Sequence, residues 1–437
     1  MKNRRDFLKM CASVAMLGGA GRLLHAQGNP NFKALICVFQ FGGNDGNNVV
    51  VPMDSAPYAQ YAAGRGGVAL SAGSLLPIQA QGKAFGLHPR FTDLAPLYAQ
   101  GRMAMLANVG TLVRPVTKAM LSSSEVPRNL YSHSDQTQQW QTSNPLGTGG
   151  TGWGGRAADA LSRSYPSLFT PAISVAGNSL FLTGQTTTPA NISGGSAFGL
   201  DTIDESQADD VARRVALENI MTFDTGVTLV GPTSNVLLSG IRNAAKVQQA
   251  LQNAPVLTTA FPTTGLGNQL KQVAQLIAVH QALGMSRQIF FVSQGGYDNH
   301  SDLLNSQFGR FAELSPALAA FYRATVELNL AQNVTAFTES EFGRTFDPSS
   351  TAGSDHAWGS HHMIVGGAVR GGQMYGTFPT LALRGPDDAG SRGQWIPTTS
   401  LDQYGATLAS WFGVQAVDLP QVFPNLANFA TKNLGFI

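Results

Sequence analysis

The sequence predicts an α/β protein with a mainly parallel central sheet that helices cover on both faces. Short apolar runs, typical of strands buried on both sides, alternate with longer amphipathic stretches, typical of helices. This alternation is the order expected when helices cross over between parallel strands. The chain has 437 residues, of which 43% are hydrophobic, and this is ample material for a core.

The elements can be placed from these patterns. The predicted strands are residues 34–41, 103–110, 171–177, 287–296, 333–340 and 362–369. The predicted helices are residues 209–221, 235–254, 268–283 and 308–330. Residues 178–200 are rich in Gly, Ser, Thr and Asn, so we expect a surface loop or insertion there. No second domain boundary is visible, and residues 27–437 are predicted to form a single domain.

The first 26 residues have the pattern of a twin-arginine signal peptide. The adjacent Arg4 and Arg5 precede Phe7 and Leu8, and a short apolar run ends near Ala26. That run is too short and too rich in glycine to serve as a membrane anchor. We therefore expect the twin-arginine translocase to deliver the protein to the periplasm or the exterior, with no stable membrane anchor.

Charge and cysteine content exclude several classes of protein. The 28 basic and 26 acidic residues leave a formal net charge of +2, so no nucleic-acid surface is predicted. Without the signal peptide, Cys37 is the single cysteine and no disulfide can form within the mature chain. Packing or a bound metal must therefore stabilise an exported fold.

Acidic and imidazole side chains follow the predicted strands. The segments GGNDGNN, YSHSDQ, YDNHSD, ESEFGR and GSDHAWGSHH contribute Asp45, Ser132, His133, Asp298, His300, Glu341, Arg344, Asp355, His356 and His361. Because the carboxyl ends of parallel strands open onto one edge of a sheet, we expect these side chains to meet there.

The mixture of side chains indicates a metal site. Carboxylates and neutral imidazoles without thiolates suit Zn²⁺, Mn²⁺ or Mg²⁺, and there are enough candidates for two ions. Each segment also has an ordinary structural interpretation. Asp45 would cap a glycine-flanked turn, Asp298 and His300 would form a local hydrogen-bonded pair, and residues 353–362 would be a surface loop. The combination favours the metal site.

A set of short motifs in a fixed order resembles the exported bacterial proteins grouped as the domain of unknown function 1501 family. The motifs are the twin-arginine start, GGNDGNN, SHSDQ, GYDNHSD, ESEFGRT, GSDHAWGSHH and GGAVRGGQMYG, and they span nearly the whole mature chain. That family is similar in turn to the superfamily of alkaline phosphatases, sulfatases and cofactor-independent phosphoglycerate mutases. The resemblance implies an alkaline-phosphatase-like α/β/α sandwich with a two-metal site at the strand ends. It does not supply an activity.

The resemblance also implies roles for the candidate residues. The implied metal ligands are Asp45 for one ion, Asp298 and His300 for the other, and Glu341, Asp355, His356 and His361 to complete the two spheres. Ser132 would be a nucleophile at a helix N-terminus, with Ser134 as the alternative, while His133 would assist catalysis or bind a metal. Arg344 would stabilise charge on the transferred group, or it would form a structural ion pair with a neighbouring glutamate.

Two functions from different classes are consistent with these features. The first is metal-dependent hydrolysis of phosphate or sulfate esters outside the cytoplasm, with a small anionic ester or a sulfated or phosphorylated polymer as substrate. The second is a non-catalytic exported binding or assembly protein that retains the fold, with or without a metal. A nicotinamide site is disfavoured, because GGNDGNN lacks the glycine spacing of a dinucleotide-binding turn.

Overall fold

A computed structural model describes residues 31–122, 126–147, 149–167, 169–192, 207–222 and 230–437. The predicted signal peptide and residues 193–200 of the predicted insertion lie outside these ranges.

Twelve strands and ten α-helices form within the described ranges. The strands are β1 (Lys33–Gln40), β2 (Val50–Pro52), β3 (Leu76–Ala80), β4 (Lys83–Leu87), β5 (Met103–Gly110), β6 (Ala172–Ser174), β7 (Ala190–Asn191), β8 (Arg287–Gln294), β9 (Val334–Ser340), β10 (Ser360–Gly366), β11 (Met374–Tyr375) and β12 (Thr399–Ser400). The helices are α1 (Ser55–Arg65), α2 (Leu94–Ala99), α3 (His133–Thr142), α4 (Trp153–Leu161), α5 (Ala208–Met221), α6 (Val230–Gln252), α7 (Gly265–Ala278), α8 (Leu303–Glu327), α9 (Leu401–Phe412) and α10 (Leu419–Val422).

One large sheet of nine strands lies at the centre of the fold. Its order is β11-β5-β10-β9-β1-β8-β6-β7, and β12 also pairs with β5, on the edge opposite β10. Every pairing is parallel except those of β10, which runs antiparallel to both β5 and β9. The mainly parallel sheet predicted from the sequence is confirmed. Strands β2, β4 and β3 form a separate antiparallel sheet.

Two apolar cores lie on opposite faces of the large sheet. Along β1, Ile36 and Val38 belong to the core that packs under α2, α6, α7 and α8. Leu35, Cys37 and Phe39 belong to the core under α3, α4, α9 and α10. Alternate side chains of a strand point to opposite faces, so a continuous apolar run is buried on both sides. The fold is therefore an α/β/α sandwich.

The predicted elements correspond to observed ones. The six predicted strands are β1, β5, β6, β8, β9 and β10, and the four predicted helices are α5 to α8. The glycine-rich stretch differs from a plain surface loop in its first half, because Phe181 and Leu182 are fully buried there and β7 joins the sheet. Within the described part of the chain, no helix is both long and apolar enough to cross a membrane.

Candidate metal centre

Three segments bring imidazole and carboxylate groups to one edge of the large sheet. His133 is the first residue of α3, and Asp298 and His300 lie in the loop that follows β8. His356 precedes β10. Because β10 runs against its neighbours, its beginning lies at the same edge where β1, β8 and β9 end. The segment before β10 therefore lies at the same edge of the sheet as the segments that follow β1, β8 and β9.

Two glycines allow these segments to approach each other closely. Gly42 follows β1 with a φ of 113°, and a Cβ there would lie 2.3 Å from the backbone nitrogen of Asp298. A Cβ on Gly353 would lie 2.0 Å from the carbonyl carbon of His300. Any larger residue at either position would push the loop after β8 away from its neighbours.

Backbone pairing holds the segment before β10 in place. The amide of Thr345 donates to the carbonyl of Asp355 at 2.9 Å, and the amide of Ala357 donates to the carbonyl of Gly343 at 2.9 Å. The amide of Ser354 donates to the carbonyl of Asn299 at 2.9 Å. The loop after β8, the loop after β9 and this segment therefore form one hydrogen-bonded unit.

The side chains meet within metal-binding distance. One ligand atom from each of His133, Asp298 and His356 lies within 4.8 Å of the other two. The Nε2 atoms of His133 and His356 are each 3.5 Å from a carboxylate oxygen of Asp298. His300 joins the group, since its Nε2 lies 3.0 Å from Asp298 Oδ1 and 3.1 Å from His356 Nε2.

Each of the three imidazoles has a second partner at Nδ1. His133 Nδ1 lies 2.9 Å from Glu341 Oε1, which also accepts from the amide of Gly42 at 2.8 Å. His300 Nδ1 lies 3.1 Å from Asp355 Oδ1. His356 Nδ1 lies 2.7 Å from the carbonyl oxygen of Tyr131. These contacts orient the three rings with Nε2 toward the cluster.

Local charges keep the carboxylates ionised. Partial burial raises the pKa of Asp298, but its ion pair with Arg344 and the nearby imidazoles lower that pKa more, so the net shift is downward. Burial likewise raises the pKa of Asp355, and its ion pair with Arg392 reverses the effect and lowers it overall. Burial lowers the pKa of His356. These directions favour anionic carboxylates and a neutral His356.

The side chain of Arg344 is fully buried and holds together the loops at this edge of the sheet. Its guanidinium donates to the carbonyls of Gly43 and Ser354 at 3.0 and 2.9 Å, and also to the carbonyl of Gly42 and the carboxylate of Asp298. The sequence left two roles open for Arg344, stabilising charge on a transferred group or forming an ion pair with a neighbouring glutamate, and in the structure its carboxylate partner is Asp298. Arg344 connects the loop after β1 to the loop after β8.

Asp45 and His361 lie outside the cluster of ligand atoms. One oxygen of Asp45 accepts from Asn47, and the other pairs with the fully buried Arg65. His361 is buried, its Nδ1 accepts from the amide of Asn108 at 3.0 Å, and its ring stacks on Phe378. Burial lowers the pKa of His361 to about 3. Both residues thus have structural partners where the sequence prediction had metal ligands.

Ser132 is the N-cap of α3. Its Oγ accepts from the amide of Asp135 at 3.4 Å and donates to the carboxylate of Asp135 at 2.6 Å. The Oγ of Ser134 lies 3.2 Å from that of Ser132. The hydroxyl therefore satisfies a free N–H of the first turn, which is the usual function of an N-cap serine.

Sequence reasoning missed several residues that shape the centre. Arg65, Arg392, Phe342 and the carbonyl of Tyr131 were not singled out. Phe342 stacks on His356 with ring centroids 4.6 Å apart, so it walls one side of the cluster. No sequence signal identifies a backbone carbonyl as a histidine partner. The buried Arg65 is detectable only as a basic residue at the end of an otherwise weakly charged helix.

Fold and site together define an α/β/α protein with a candidate metal centre at its strand ends. The chain belongs to the family described as "Protein of unknown function (DUF1501)", whose model matches residues 32–391. The resemblance read from the sequence motifs is thereby confirmed. A search among curated proteins found no match.

The chain is also similar in structure to several solved proteins. A sulfatase of Pseudoalteromonas sp. is 10% identical with a TM-score of 0.36, and the match covers 90% of this chain and 70% of that one. A lipoteichoic acid synthase of Listeria monocytogenes is 8% identical with a TM-score of 0.34, covering 90% and 76%. The phosphonate monoester hydrolase of Agrobacterium radiobacter is 9% identical with a TM-score of 0.34, covering 88% and 74%.

Proposed function

We propose that the protein is an exported, metal-dependent hydrolase of phosphate or sulfate esters. The observation that carries the proposal is the convergence of His133, Asp298 and His356, from three segments distant in sequence, at one edge of the sheet. A divalent cation held there supplies Lewis-acid polarisation of an ester oxygen. The substrate would be a small anionic ester or a sulfated or phosphorylated polymer in the periplasm or outside the cell.

The residues present fit such a cation. Asp298 offers a carboxylate whose pKa is lowered, and the imidazoles of His133 and His356 offer nitrogen ligands. The second oxygen of Glu341 is buried and has no hydrogen-bond partner among the described residues. A buried carboxylate oxygen without a partner is costly, and a nearby cation would offset that cost.

The chain's own groups would bind and orient the ester. His133 is the first residue of α3, so the free N–H groups of the first helical turn lie beside the cluster and favour anionic oxygens. The rings of Phe342 and His133 lie 4.9 Å apart, and Phe342 also stacks on His356. This apolar wall would exclude water from one side of the bound group.

Ser132, the N-cap of α3, is the candidate nucleophile of this proposal, and the carboxylate it contacts, Asp135, is a weak base. In an attack by Ser132, its oxygen would bond to phosphorus or sulfur, the ester oxygen would leave, and the hydroxyl proton would pass to Asp135. Hydrogen bonds from Ser132 and Asn129 lower the pKa of Asp135, which makes its carboxylate a poor proton acceptor. The same contacts favour the second candidate function, a binding or assembly protein that retains the site without turnover.

The test is turnover of aryl phosphate and aryl sulfate esters by metal-loaded protein. We expect hydrolysis of one ester class, and a loss in kcat/KM of at least about 100-fold in Asp298→Asn, because the carboxylate is central to the cluster. Asp209→Asn is the matched control, since the side chain of Asp209 is 81% exposed on α5. Full activity in a folded Asp298→Asn protein would contradict the proposed site.

Two substitutions at Ser132 distinguish a role as the nucleophile from a role as the N-cap of α3. Ser132→Ala removes both roles, and we expect it to cost about 1 kcal/mol of stability. Ser132→Asp keeps a capping oxygen and removes the hydroxyl. Activity lost in both variants identifies Ser132 as the nucleophile, and activity kept in both assigns the attack to water. If the metal-loaded protein turns over neither ester, the binding or assembly function replaces the hydrolase.

A further inference from the structure

The first residues of two neighbouring strands place two cations side by side. Lys33 begins β1 and Arg287 begins β8, and the two residues are partners in the parallel register. Arg287 is buried, and its guanidinium carbon lies 3.7 Å from the centre of the Tyr165 ring. Like charges at this separation repel each other, so the arrangement calls for a compensating negative charge.

The end of α9 supplies only part of that charge. Arg287 Nε donates to the carbonyl of Phe412 at 2.6 Å, and Lys33 Nζ donates to the carbonyl of Trp411. Both carbonyls belong to the last turn of α9. The C-terminus of a helix carries about half a negative elementary charge, so about 1.5 of the two positive charges remain uncompensated.

No carboxylate within the described ranges supplies the rest. Burial lowers the pKa of Arg287, and burial together with the charge of Arg287 lowers the pKa of Lys33, with no acidic group acting on either. Asp159 on the nearby α4 accepts from the amides of Gln185 and Thr187 at 2.6 and 2.7 Å. A buried positive charge without an anionic partner is costly.

One donor of the buried guanidinium is left for a further partner. Nη1 donates to the carbonyls of Asn31 and Ser286, and Nη2 donates to Asn31 Oδ1 at 3.3 Å. With the bond from Nε, four of the five N–H groups of Arg287 have partners in the described part of the chain. The fifth, at Nη2, remains available for an anionic oxygen.

A cleft of about 240 Å³ opens beside Arg287. It is smaller than the pockets of about 300–1,000 Å³ that hold drug-sized molecules, so a ligand there would be small. Apart from the cation, the lining is largely apolar, with hydroxyls at an exposed rim. The residues used here are Leu161, Tyr165, Phe412, Ser162 and Ser167.

We propose that this cleft binds a small organic anion, with its charged head at Arg287 and its apolar part against Leu161 and Phe412. The positive charge selects an anion, and the apolar lining favours one that carries a hydrocarbon group. The head would be a carboxylate or a phosphonate-like group, since a guanidinium binds both.

The cleft is distinct from the candidate metal centre. Arg287 lies at the beginning of β8, whereas the centre lies beyond the end of β8 and its neighbours. The seven residue steps from Arg287 to Gln294 span about 23 Å of extended strand. The inference therefore goes beyond the proposed hydrolysis and does not depend on it.

The experiment is a calorimetric titration of the full-length protein with four small molecules. Benzoate and phenylphosphonate carry both an anionic head and a ring, benzyl alcohol lacks the charge, and acetate lacks the ring. We expect one equivalent of benzoate or phenylphosphonate to bind, the tighter of the two identifying the head group. Benzyl alcohol and acetate should bind at least about tenfold more weakly.

Three results would overturn the proposal. If neither aromatic anion binds, the cleft is not an anion site. If benzyl alcohol binds as tightly as benzoate, the cations do not select the ligand. If acetate binds as tightly as benzoate, the apolar lining plays no part.

Variants at the cations locate the bound anion. Arg287→Met should weaken binding of benzoate at least about tenfold, because the charged partner of the head is lost. Lys33→Met should weaken it about two- to fivefold, since Lys33 acts through its charge at a distance. Lys83→Met is the matched control, because Lys83 is exposed on the separate sheet.

A second variant covers the case in which Arg287→Met does not fold. Tyr165→Ala removes the ring that covers the guanidinium and lines the cleft, and it should also weaken binding. Unchanged affinity for benzoate in folded Arg287→Met protein, or in both Lys33→Met and Tyr165→Ala, would show that the cations only cap α9.

The metal centre provides a separate control. Asp298→Asn should bind benzoate as the natural protein does, whether or not that protein hydrolyses esters. Loss of benzoate binding in folded Asp298→Asn protein would place the anion at the metal centre and overturn the second site.

Discussion

At the scale of single residues, the role of a carboxylate depends on whether its oxygens already have partners. Oxygens without partners are free to bind a metal, whereas oxygens in hydrogen bonds and ion pairs hold the fold together. Asp45 sits in the sequence position where the superfamily resemblance implies a metal ligand. In the structure its carboxylate accepts from Asn47 and pairs with Arg65, whose side chain is fully buried. The ion pair connects the loop after β1 to the end of α1, and so stabilises the backbone that carries Gly42 and Gly43.

Substitution of Asp45 tests this structural role. Asp45→Asn leaves Arg65 buried without its counter-charge, and we expect a loss of about 3–5 kcal/mol in the free energy of unfolding. The double variant Asp45→Asn/Arg65→Met removes both charges and should recover most of that loss. Denaturant unfolding measures both. If the single variant keeps its stability and binds less Co²⁺, Asp45 is a metal ligand and not half of a structural pair.

At the scale of elements, β9 and the residue after it provide two glutamates with different surroundings. Glu341 follows the strand and contacts His133, whereas Glu339 lies within the strand, fully buried beside Cys37. Burial raises the pKa of Glu339 to about 8. An uncharged carboxylic acid in the core is the state in which a buried glutamate costs least.

Glu339 should make stability fall as pH rises. Its pKa is about 8 in the fold and near 4.5 in an unfolded chain, so between these values only the native state holds the proton. Unfolding then releases a proton, and the free energy of unfolding should fall by up to about 1.4 kcal/mol per pH unit in this window. Denaturant unfolding at pH 5 and pH 8 should show this fall in the natural protein and its loss in Glu339→Gln.

Glu313→Gln is the control, because that side chain is 27% exposed on α8. A pH dependence that Glu339→Gln leaves unchanged would show that Glu339 is ionised in the fold.

The elements themselves were predictable, because buried parallel strands and amphipathic helices have different hydrophobic periods. The direction of β10 was not predictable from its composition. The run HMIVGGAV is equally apolar in either direction, and only pairing with β5 and β9 decides its orientation. A register shift between Ser360 and His362 accompanies the burial of His361 in the fold.

The sequence predicts the edge of the sheet at which the candidate residues lie. It does not predict which of their atoms contact one another. Strand order places Asp298, His300, Glu341 and His356 at the carboxyl end of the sheet, and the structure brings them together there. Which carboxylate faces the Nε2 atoms of the cluster and which faces an Nδ1 atom depends on side-chain packing. A sequence pattern records neither the ion pair of Asp45 with Arg65 nor the carbonyl of Tyr131.

At the scale of the whole molecule, a bound ion would connect parts of the chain that are distant in sequence. The donors belong to α3, to the loop after β8 and to the segment before β10, which otherwise meet mainly through loop contacts. A ligand that binds only the native state adds to its stability by mass action.

Metal removal should therefore lower the melting temperature of the protein. At an ion concentration of 100 times Kd, binding contributes about 2.7 kcal/mol, and chelation should abolish that contribution. Differential scanning calorimetry with chelator and with added Zn²⁺ measures the difference. His356→Ala should melt at the same temperature in both conditions. A melting temperature that zinc does not raise in the natural protein would contradict the metal centre.

The position of His356 just before β10 would also determine when the proposed centre could form during biosynthesis. His356 precedes the one strand that inserts backwards between β5 and β9, and the ribosome delivers it after all the other donors. A nascent chain that has released only α3 and β8 holds an incomplete coordination set. Cofactor acquisition would thus be a late maturation event, and a chain truncated before His356 would lack one donor however well its earlier strands had paired.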